Sequence, residues 1–409
     1  MSGDTVNMPL RPVAVVVPVY RNLELTRNCL ESLMASDLPQ NASITVIDDN
    51  SPEQAVSAYC RELAERCDIQ LLVNEENLGF VGSANKGFNL DRDADIILLN
   101  SDTIVSNDWI QRLQACAYRE QHIGTVTPFS NNGTICSYPV FLLSNSMPEQ
   151  WDAGELDRAF QTGNRGEHHE IPTAVGFCMY VKRACLNETG TFDEEAFGHG
   201  YGEECDFSLR ASARGWAHVI AADVFVHHEG AASFSTESAD RKTRADKIMS
   251  ELHPGYHELI SEFIGRDPLY LFRSNVDAIR LNQKPADATN ILAEHFRYTQ
   301  ILLDRAEQHR REVLDGHEQR QQLEAMLGHA RQQFAETDNA LTNAEALVAR
   351  LNSDLEQSQA HFEQSQAYSE QLAGKIRELE QQVSVMDQKI RSMEQSRSWR
   401  YTAWLRKKQ

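Results

Sequence analysis

Four short apolar runs recur along the first hundred residues: Val13–Val17, Ile44–Ile47, Ile69–Val73 and Ile96–Leu99. They are β-rich and almost free of polar residues, as strands are when both faces of a parallel sheet are covered. Between them, Leu23–Met34, Gln54–Cys67 and Gly82–Leu90 carry apolar residues at helical spacing. Strand, helix, strand at this rhythm predicts an α/β domain with right-handed crossovers. Ligands in such sheets bind beyond the carboxyl ends of the strands. The residues just past each strand therefore matter most: Pro18-Val19-Tyr20, Asp48-Asp49-Asn50, the stretch from Asn74, and Asn100-Ser101-Asp102.

Past about residue 290 the pattern changes. Gln, Glu, Ala, Arg and Leu dominate, and the last proline is Pro285. A heptad register places Val348, Leu355, Phe362, Ser369, Ile376, Val383 and Ile390 at a, and Leu351, Ser358, Ser365, Leu372, Leu379, Met386 and Met393 at d. Eleven of these fourteen are apolar in 3-4 alternation, a repeat that a lone amphipathic helix drifts away from. The register continues more weakly upstream through Val313, Leu323, Leu327, Phe334 and Leu341. Gly316, Gly328 and Gly374 each weaken a helix by up to about 1 kcal/mol. β-branched residues at a with Leu at d predict a parallel homodimeric coiled coil over 290–395, about 160 Å long at the helical rise. From Lys389 to Gln409, seven basic residues face one acid, Glu394, with Trp399, Tyr401 and Trp404 interleaved. Two readings of that segment stand: a short helix on an anionic membrane surface, or a helix end whose cations suit the macrodipole. The expected division is a disordered tail over 1–11, the α/β domain over 12–270, a linker over 271–289, the coiled coil over 290–395 and a basic aromatic tail over 396–409.

The 39 basic and 60 acidic residues give a net charge of -21, which excludes a general nucleic-acid binder. All eight cysteines fall within the first 205 residues without a C-x-x-C pair, as expected of buried thiols in a reducing cytoplasm. Met1–Leu10 is too polar for a signal peptide, and no run approaches the length of a membrane span.

The strand-end residues form a longer series. Val15-Val16-Val17-Pro18-Val19-Tyr20 is followed by Val46-Ile47-Asp48-Asp49-Asn50-Ser51, then by Asn77-Leu78-Gly79-Phe80 with Asn85-Lys86-Gly87. Leu98-Leu99-Asn100-Ser101-Asp102-Thr103 comes next, then Gly202-Glu203-Glu204-Cys205-Asp206, and His228 in a His-x-Gly-x-x-Ser context ending at Ser233. Each piece alone is weak. In this order, over residues 13 to about 235, they resemble the inverting family 2 glycosyltransferases of the GT-A fold, which use nucleotide-sugar donors.

That resemblance implies roles. Pro18, Val19 and Tyr20 would meet the nucleotide, with the Tyr20 ring against the base. Asp48 and Asp49 would accept the N3–H of uracil or thymine, favouring a UDP- or dTDP-sugar; an N-cap or Asx turn before the helix near Gln54 is the other reading of that pair. Gly79, Asn85 and Ser101 fall on the same nucleotide-binding side. Asn100-Ser101-Asp102 stands where the family has D-x-D, so Asp102 would hold Mn2+ or Mg2+ through a hard oxygen. Asn100 replaces the first acid, and its part stays open. His228 would be a further metal ligand, with His227 as the competitor. Glu203-Glu204 matches the pair usually written Glu-Asp, which gives Glu204 the general base role by position. Its extra methylene leaves Glu203 as the alternative. Asp206 would support the helix start or the acceptor, and all three acids also suit a helix N-terminus. Gly176 and Phe177 would shape the acceptor pocket, with Trp151 and the loop Ser130–Tyr138 as further candidates.

The expected function is metal-dependent transfer of a sugar to a glycan or lipid-linked glycan acceptor in bacterial surface polysaccharide synthesis. The expected place is the cytoplasm, at the inner face of the plasma membrane. A second class of function, motivated by the Asn100 and Glu204 departures, is a coiled-coil scaffold or spacer with a catalytically weak nucleotide-sugar-binding domain.

Overall fold

The computed structural model describes residues 11–230, 236–315 and some helical residues between 350 and 385. The chain opens with β1 (Val13–Val19), α1 (Leu23–Ala35), β2 (Ala42–Asp48), α2 (Gln54–Arg66), β3 (Gln70–Val73), α3 (Gly79–Phe88) and β4 (Asp95–Leu99). It continues through β5 (Thr103–Ile104), α4 (Trp109–Ala117), β6 (Ile123–Phe129), α5 (Ala153–Gly163), β7 (His168–Ile171) and β8 (Cys178–Val181). Then come α6 (Arg183–Thr189), α7 (Glu194–Phe197), α8 (Glu203–Ser212), β9 (Ala217–Phe225) and β10 (His227–His228). Four helices follow: α9 (Thr236–Leu252), α10 (Tyr256–Arg266), α11 (Tyr270–Gln283) and α12 (Ala288–Asp315).

The expected α/β architecture is present, and the four apolar runs all fall in strands. Every residue of β1 is buried. Val13, Val15, Val17 and Val19 pack with Leu30, Leu33 and Trp109 on one face of the sheet, while Ala14 and Val16 pack with Val81, Phe88 and Phe207 on the other. The eight-stranded sheet has the order β3-β2-β1-β4-β8-β6-β9-β7. Its first four strands are parallel, as expected. Beyond them the parallel expectation fails, because β8 runs antiparallel to both β4 and β6, and β7 runs antiparallel to β9. A buried strand such as Cys178–Val181 is apolar whichever way it runs, so its pattern carries no direction. A separate two-stranded sheet pairs β10 with β5 and brings His228 opposite Thr103.

The 271–289 stretch, expected to be a linker, is instead α11 and a 3-10 turn over Pro285–Asp287. Leu269 and Val276 enter a third core with Phe129, Tyr138, Trp151 and Phe160. The polar reading missed this because Arg280, fully buried, hides its charge among carboxylates: Nε donates to Asp287 at 2.7 Å and the guanidinium forks onto Glu294 at 2.7 and 3.1 Å. The first compact unit accordingly runs to Ala306 rather than 270. Of the N-terminal tail only Arg11 is described, and its carbonyl accepts from Asn41 and Gln114. In the second unit, the described heptad positions Ser358, Leu379 and Val383 are helical and exposed. The other a and d positions from Val348 to Met393 and the 396–409 tail lie outside the described residues. The eight cysteines are free thiols, buried or half-buried. No described helix is long and apolar enough to cross a membrane.

Candidate active site

The carboxyl ends of β1 and β4, the start of α8 and strand β10 surround one cavity of about 810 Å³. At the end of β1 the chain turns sharply through Arg21 and Asn22, both at positive φ, and Asn22 caps α1 through its Oδ1. This turn presents Pro18, Val19 and the half-exposed Tyr20 to the cavity, with the Arg21 guanidinium 5.1 Å from the Tyr20 ring centre.

The two aspartates after β2 separate. Asp48 does not line the cavity; its Oδ1 accepts from the Ser51 N–H at 2.9 Å and its Oδ2 from the Ser57 hydroxyl, so it ties the turn to α2. This is the Asx-turn reading of that residue. Asp49 does line the cavity, and its Oδ1 accepts from Asn74 and from the Leu78 N–H, both at 2.8 Å. Gly79 lies on the wall as well. Asn85 does not: its amide clamps the Phe192 backbone, donating to the carbonyl and accepting from the N–H.

Asn100, Ser101 and Asp102 follow β4 into the cavity. Asp102 is held from the residues just after β10: its carbonyl accepts from the Glu229 N–H at 2.9 Å and its Oδ2 from the Gly230 N–H at 3.1 Å. His228 Nε2 lies 3.3 Å from Asp102 Oδ1. On the other side of the ring, Nδ1 donates to the Asn132 carbonyl at 2.7 Å, so Nε2 is the nitrogen that meets Asp102: it donates to Oδ1 while the ring is protonated and offers a lone pair once that proton leaves. Phe177 stacks on the same ring at 5.3 Å. Burial opposes charge on both partners, yet their mutual hydrogen bond prevails: Asp102 is held below the usual carboxylate range and His228 above the usual histidine value. His227 is turned away, near Glu229, and burial lowers its pKa.

Across the cavity, α8 begins at Gly202, whose φ of 93° suits glycine. Glu203 is buried and Glu204 half-buried. Burial raises both carboxyls, Glu203 well above the ordinary range with the neighbouring Glu204 charge adding to it. Glu203 Oε2, Glu204 Oε2 and Asn100 Oδ1 are buried and lack a hydrogen-bond partner among the described residues. A Cβ on Gly176 would sit 3.7 Å from the Glu204 carboxyl, so the backbone there approaches the glutamate directly. Asp206 points away from the cavity, bonded to Arg210 at 2.7 Å and His253 at 2.8 Å. Trp151 is likewise outside, buried and donating to Asp287 at 2.9 Å. From the Ser130–Tyr138 loop, Asn132, Gly133 and Thr134 reach the wall.

Sequence reasoning missed the cations. Arg21, Arg241 and Lys242 line the cavity of a strongly acidic protein, Lys242 lying 5.3 Å from the Tyr201 ring centre. Asn132 lies in the Ser130–Tyr138 loop offered as an acceptor candidate, but it meets His228 through a backbone carbonyl, which no side-chain pattern reports.

The donor set suits a hard divalent cation. Asp102 Oδ1 and His228 Nε2 lie 3.3 Å apart and would both turn to a cation once the proton between them leaves, the second ring nitrogen is fixed by a carbonyl, and Asn100 Oδ1, without a partner among the described residues, belongs to a residue of the same cavity wall. Asp102 and His228 supply two protein ligands, fewer than a hard divalent cation takes, so a cation held there would have positions for ligand oxygens.

A family model described as "Glycosyltransferase like family 2" matches residues 10–245. Glycosyltransferase GlyA of Streptococcus pneumoniae serotype 4 is 29% identical over 101 residues, which are 25% of this chain and 14% of that protein. Glycosyltransferase AglE of Haloferax volcanii is 23% identical over 101 residues, 24% of this chain and 33% of that protein. The chain thus spans a third or less of the length of these curated relatives. Among solved structures, that of GalNAc-T7 with UDP, GalNAc and Mn2+ aligns with 69% of this chain and 58% of its own at 14% identity and a TM-score of 0.45. The mannosyltransferase PcManGT from Pyrobaculum calidifontis, with GDP-Man and Mn2+, aligns with 71% of this chain and 83% of its own at 14% identity and a TM-score of 0.43.

Proposed function

The chain belongs to glycosyltransferase-like family 2, and we propose that it is an inverting, metal-dependent enzyme moving a sugar from a nucleotide sugar to a hydroxyl of a glycan or lipid-linked glycan. One observation carries this reading: Asp102 and His228 face the same cavity as the unsatisfied carboxyl oxygens of Glu203 and Glu204. Asp102 and His228 would hold Mn2+ or Mg2+, which when bound neutralises a departing diphosphate. Arg21, Arg241 and Lys242 add positive charge to a cavity whose other charged groups are acids. Tyr20 packs against the base, and Asp49 keeps Oδ2 for the imide N–H of uracil or thymine, since Oδ1 is committed to Asn74 and Leu78. Glu204 takes the proton of the acceptor hydroxyl as that oxygen attacks the anomeric carbon. Glu203, the more deeply buried of the pair, stays protonated and donates. Gly176 and Phe177 border the acceptor side beside Glu204.

The heptads over 290–395 join two copies, and the exposed apolar residues Leu292 and Leu302 of α12, at a and d of the same register, begin that face. The basic aromatic tail brings the enzyme to an anionic membrane where lipid-linked acceptors lie, in surface polysaccharide synthesis.

The test is titration of UDP and dTDP with and without Mn2+ by calorimetry. Asp102→Ala should abolish the Mn2+-dependent part of binding while the fold and oligomeric state persist. Unchanged affinity and unchanged Mn2+ dependence in that variant would refute the metal assignment. Binding without any donor hydrolysis or transfer in the wild type would favour the scaffold reading.

A further inference from the structure

The residue that orients His228 is itself held from outside the cavity. Asn132 offers its carbonyl to His228 Nδ1, and the Asn131 amide clamps the His228 backbone, accepting from its N–H at 2.8 Å and donating to its carbonyl at 3.0 Å. Both asparagines lie in the segment 130–138, which closes on itself. Tyr138 N–H donates to the Ser130 carbonyl at 2.8 Å, Ser130 N–H to the Cys136 carbonyl at 3.1 Å, and Gly133 N–H to Ser137 Oγ at 3.1 Å. The far end of the segment is Tyr138, fully buried and edge-on to Phe160 at 5.0 Å.

Beyond its packing in the core with Phe129 and Phe160, Tyr138 is tied to the helices that follow the sheet. Its hydroxyl donates to Asp277 Oδ1 at 2.7 Å and accepts from Arg280 Nη1 at 2.8 Å, both on α11. Arg280 in turn grips α12 through its fork onto Glu294 and the turn between the helices through Asp287. His295 of α12 completes the group by bonding Asp277 at 2.9 Å. A fully buried guanidinium with this many partners is expensive to desolvate and has few other arrangements, so it holds its neighbours in one geometry.

We propose that the Tyr138–Arg280 pair is a strut by which α11 and α12 position His228 through the segment 130–138. The helices that lead into the heptad region are then a structural part of the donor site, and what loosens them loosens His228. Tyr138 and Arg280 are positioning residues, since neither lines the cavity. This rests on the reading of His228 as a metal ligand for its effect on binding, but not for the mechanical link.

The test uses the full chain. Tyr138→Phe keeps the ring against Phe160 and removes only the hydroxyl, while Arg280 retains its carboxylates and Asp277 retains His295. Hydrogen–deuterium exchange should quicken in peptides covering 130–137 and 227–230 and stay unchanged in β1 and β2. Calorimetric titration of Mn2+ in the presence of UDP should show affinity falling about 10-fold, the scale for a residue that orients a ligand from behind. Glu294→Gln, which weakens the strut from α12 without touching Tyr138, should move the same peptides in the same direction, and it serves alone if Tyr138→Phe does not fold. Unchanged exchange at 227–230, or acceleration spread evenly over the sheet, overturns the strut. Faster exchange at 130–137 and 227–230 with unaltered Mn2+ affinity upholds the strut and instead overturns His228 as a metal ligand.

Discussion

The two glutamates at the start of α8 make opposite predictions on conversion to glutamine. Glu203 is 4% exposed, its Oε2 has no partner among the described residues, and burial followed by the Glu204 charge holds its carboxyl well above the ordinary range. Glu204, half-buried, is raised too by burial, and backbone groups at the helix start oppose the rise in both glutamates. Glu203 is the more deeply buried of the two and so the costlier to ionise, which leaves the half-buried Glu204 as the carboxylate to act as base. Glutamine resembles a protonated glutamate, so Glu203→Gln should leave transfer within severalfold of wild type. Glu204→Gln removes the proton acceptor and should cut kcat about 10²- to 10⁴-fold, which is about 3–5 kcal/mol of transition-state stabilisation. Stability should move the other way. A carboxyl whose folded pKa is raised binds more protons folded than unfolded, so folding stability falls as pH climbs from the unfolded value toward the folded one. Each unit of that shift is worth about 1.4 kcal/mol. Glu203→Gln should accordingly raise Tm at pH 7–8 and have no such effect near pH 4, where both forms are protonated. The assays are nucleotide release over a pH series and scanning calorimetry on the same samples. The acid limb of activity should lie above the usual glutamate range, in keeping with the raised Glu204, and should vanish in Glu204→Gln. A severe Glu203→Gln with a mild Glu204→Gln would exchange the two roles, and two mild variants would remove this pair from proton transfer.

Gly79→Ala tests the wall of the nucleotide side. Gly79 sits at φ 74° and an added Cβ would fall 2.5 Å from His199 Nδ1 and 2.7 Å from its Cα, so stability should drop by about 2 kcal/mol or more with a matching fall in Tm; an unchanged Tm would mean that the 199–202 loop yields freely. In the heptad region, Ile376→Asp together with Val383→Asp would place like charges in a dimer core, so light scattering should show a monomer that keeps activity on a soluble acceptor. A wild-type monomer would refute the dimer, and loss of activity along with dimerisation would show a site completed across the interface.

The helices and strands of the first hundred residues were legible because each buries apolar side chains at its own local period, and a period is a local property. The motifs after β1, β2 and β4 were legible because strand ends are where this kind of sheet opens, whereas Asn85 inside α3 and the acids that begin α8 were singled out by the family resemblance. Reading failed where a residue's partner is distant in the chain. Asp49 is held at the cavity by Asn74 and the Leu78 N–H, 25 and 29 residues on, whereas its neighbour Asp48 serves the local turn with Ser51 and Ser57, one of the two readings the sequence offered. Asn85 sits inside a motif but spends both ends of its amide on Phe192, 107 residues away. Arg280 and its carboxylates read as a polar linker, because a charge looks exposed until its counter-charges are known.

By itself, then, the amino-acid order determined the α/β alternation, the heptad repeat and the residue types offered at each strand end. Only the tertiary structure decided that β8 runs against its neighbours, that His228 rather than His227 meets Asp102, and that a carbonyl of Asn132 sets the ring. It also brought Lys242 and Arg241 of α9 to the rim. The reason is physical. Side-chain periodicity records which face of an element is dry, whereas direction, pairing and the choice between adjacent polar residues are settled by hydrogen bonds between segments that are far apart in sequence and adjacent only after folding.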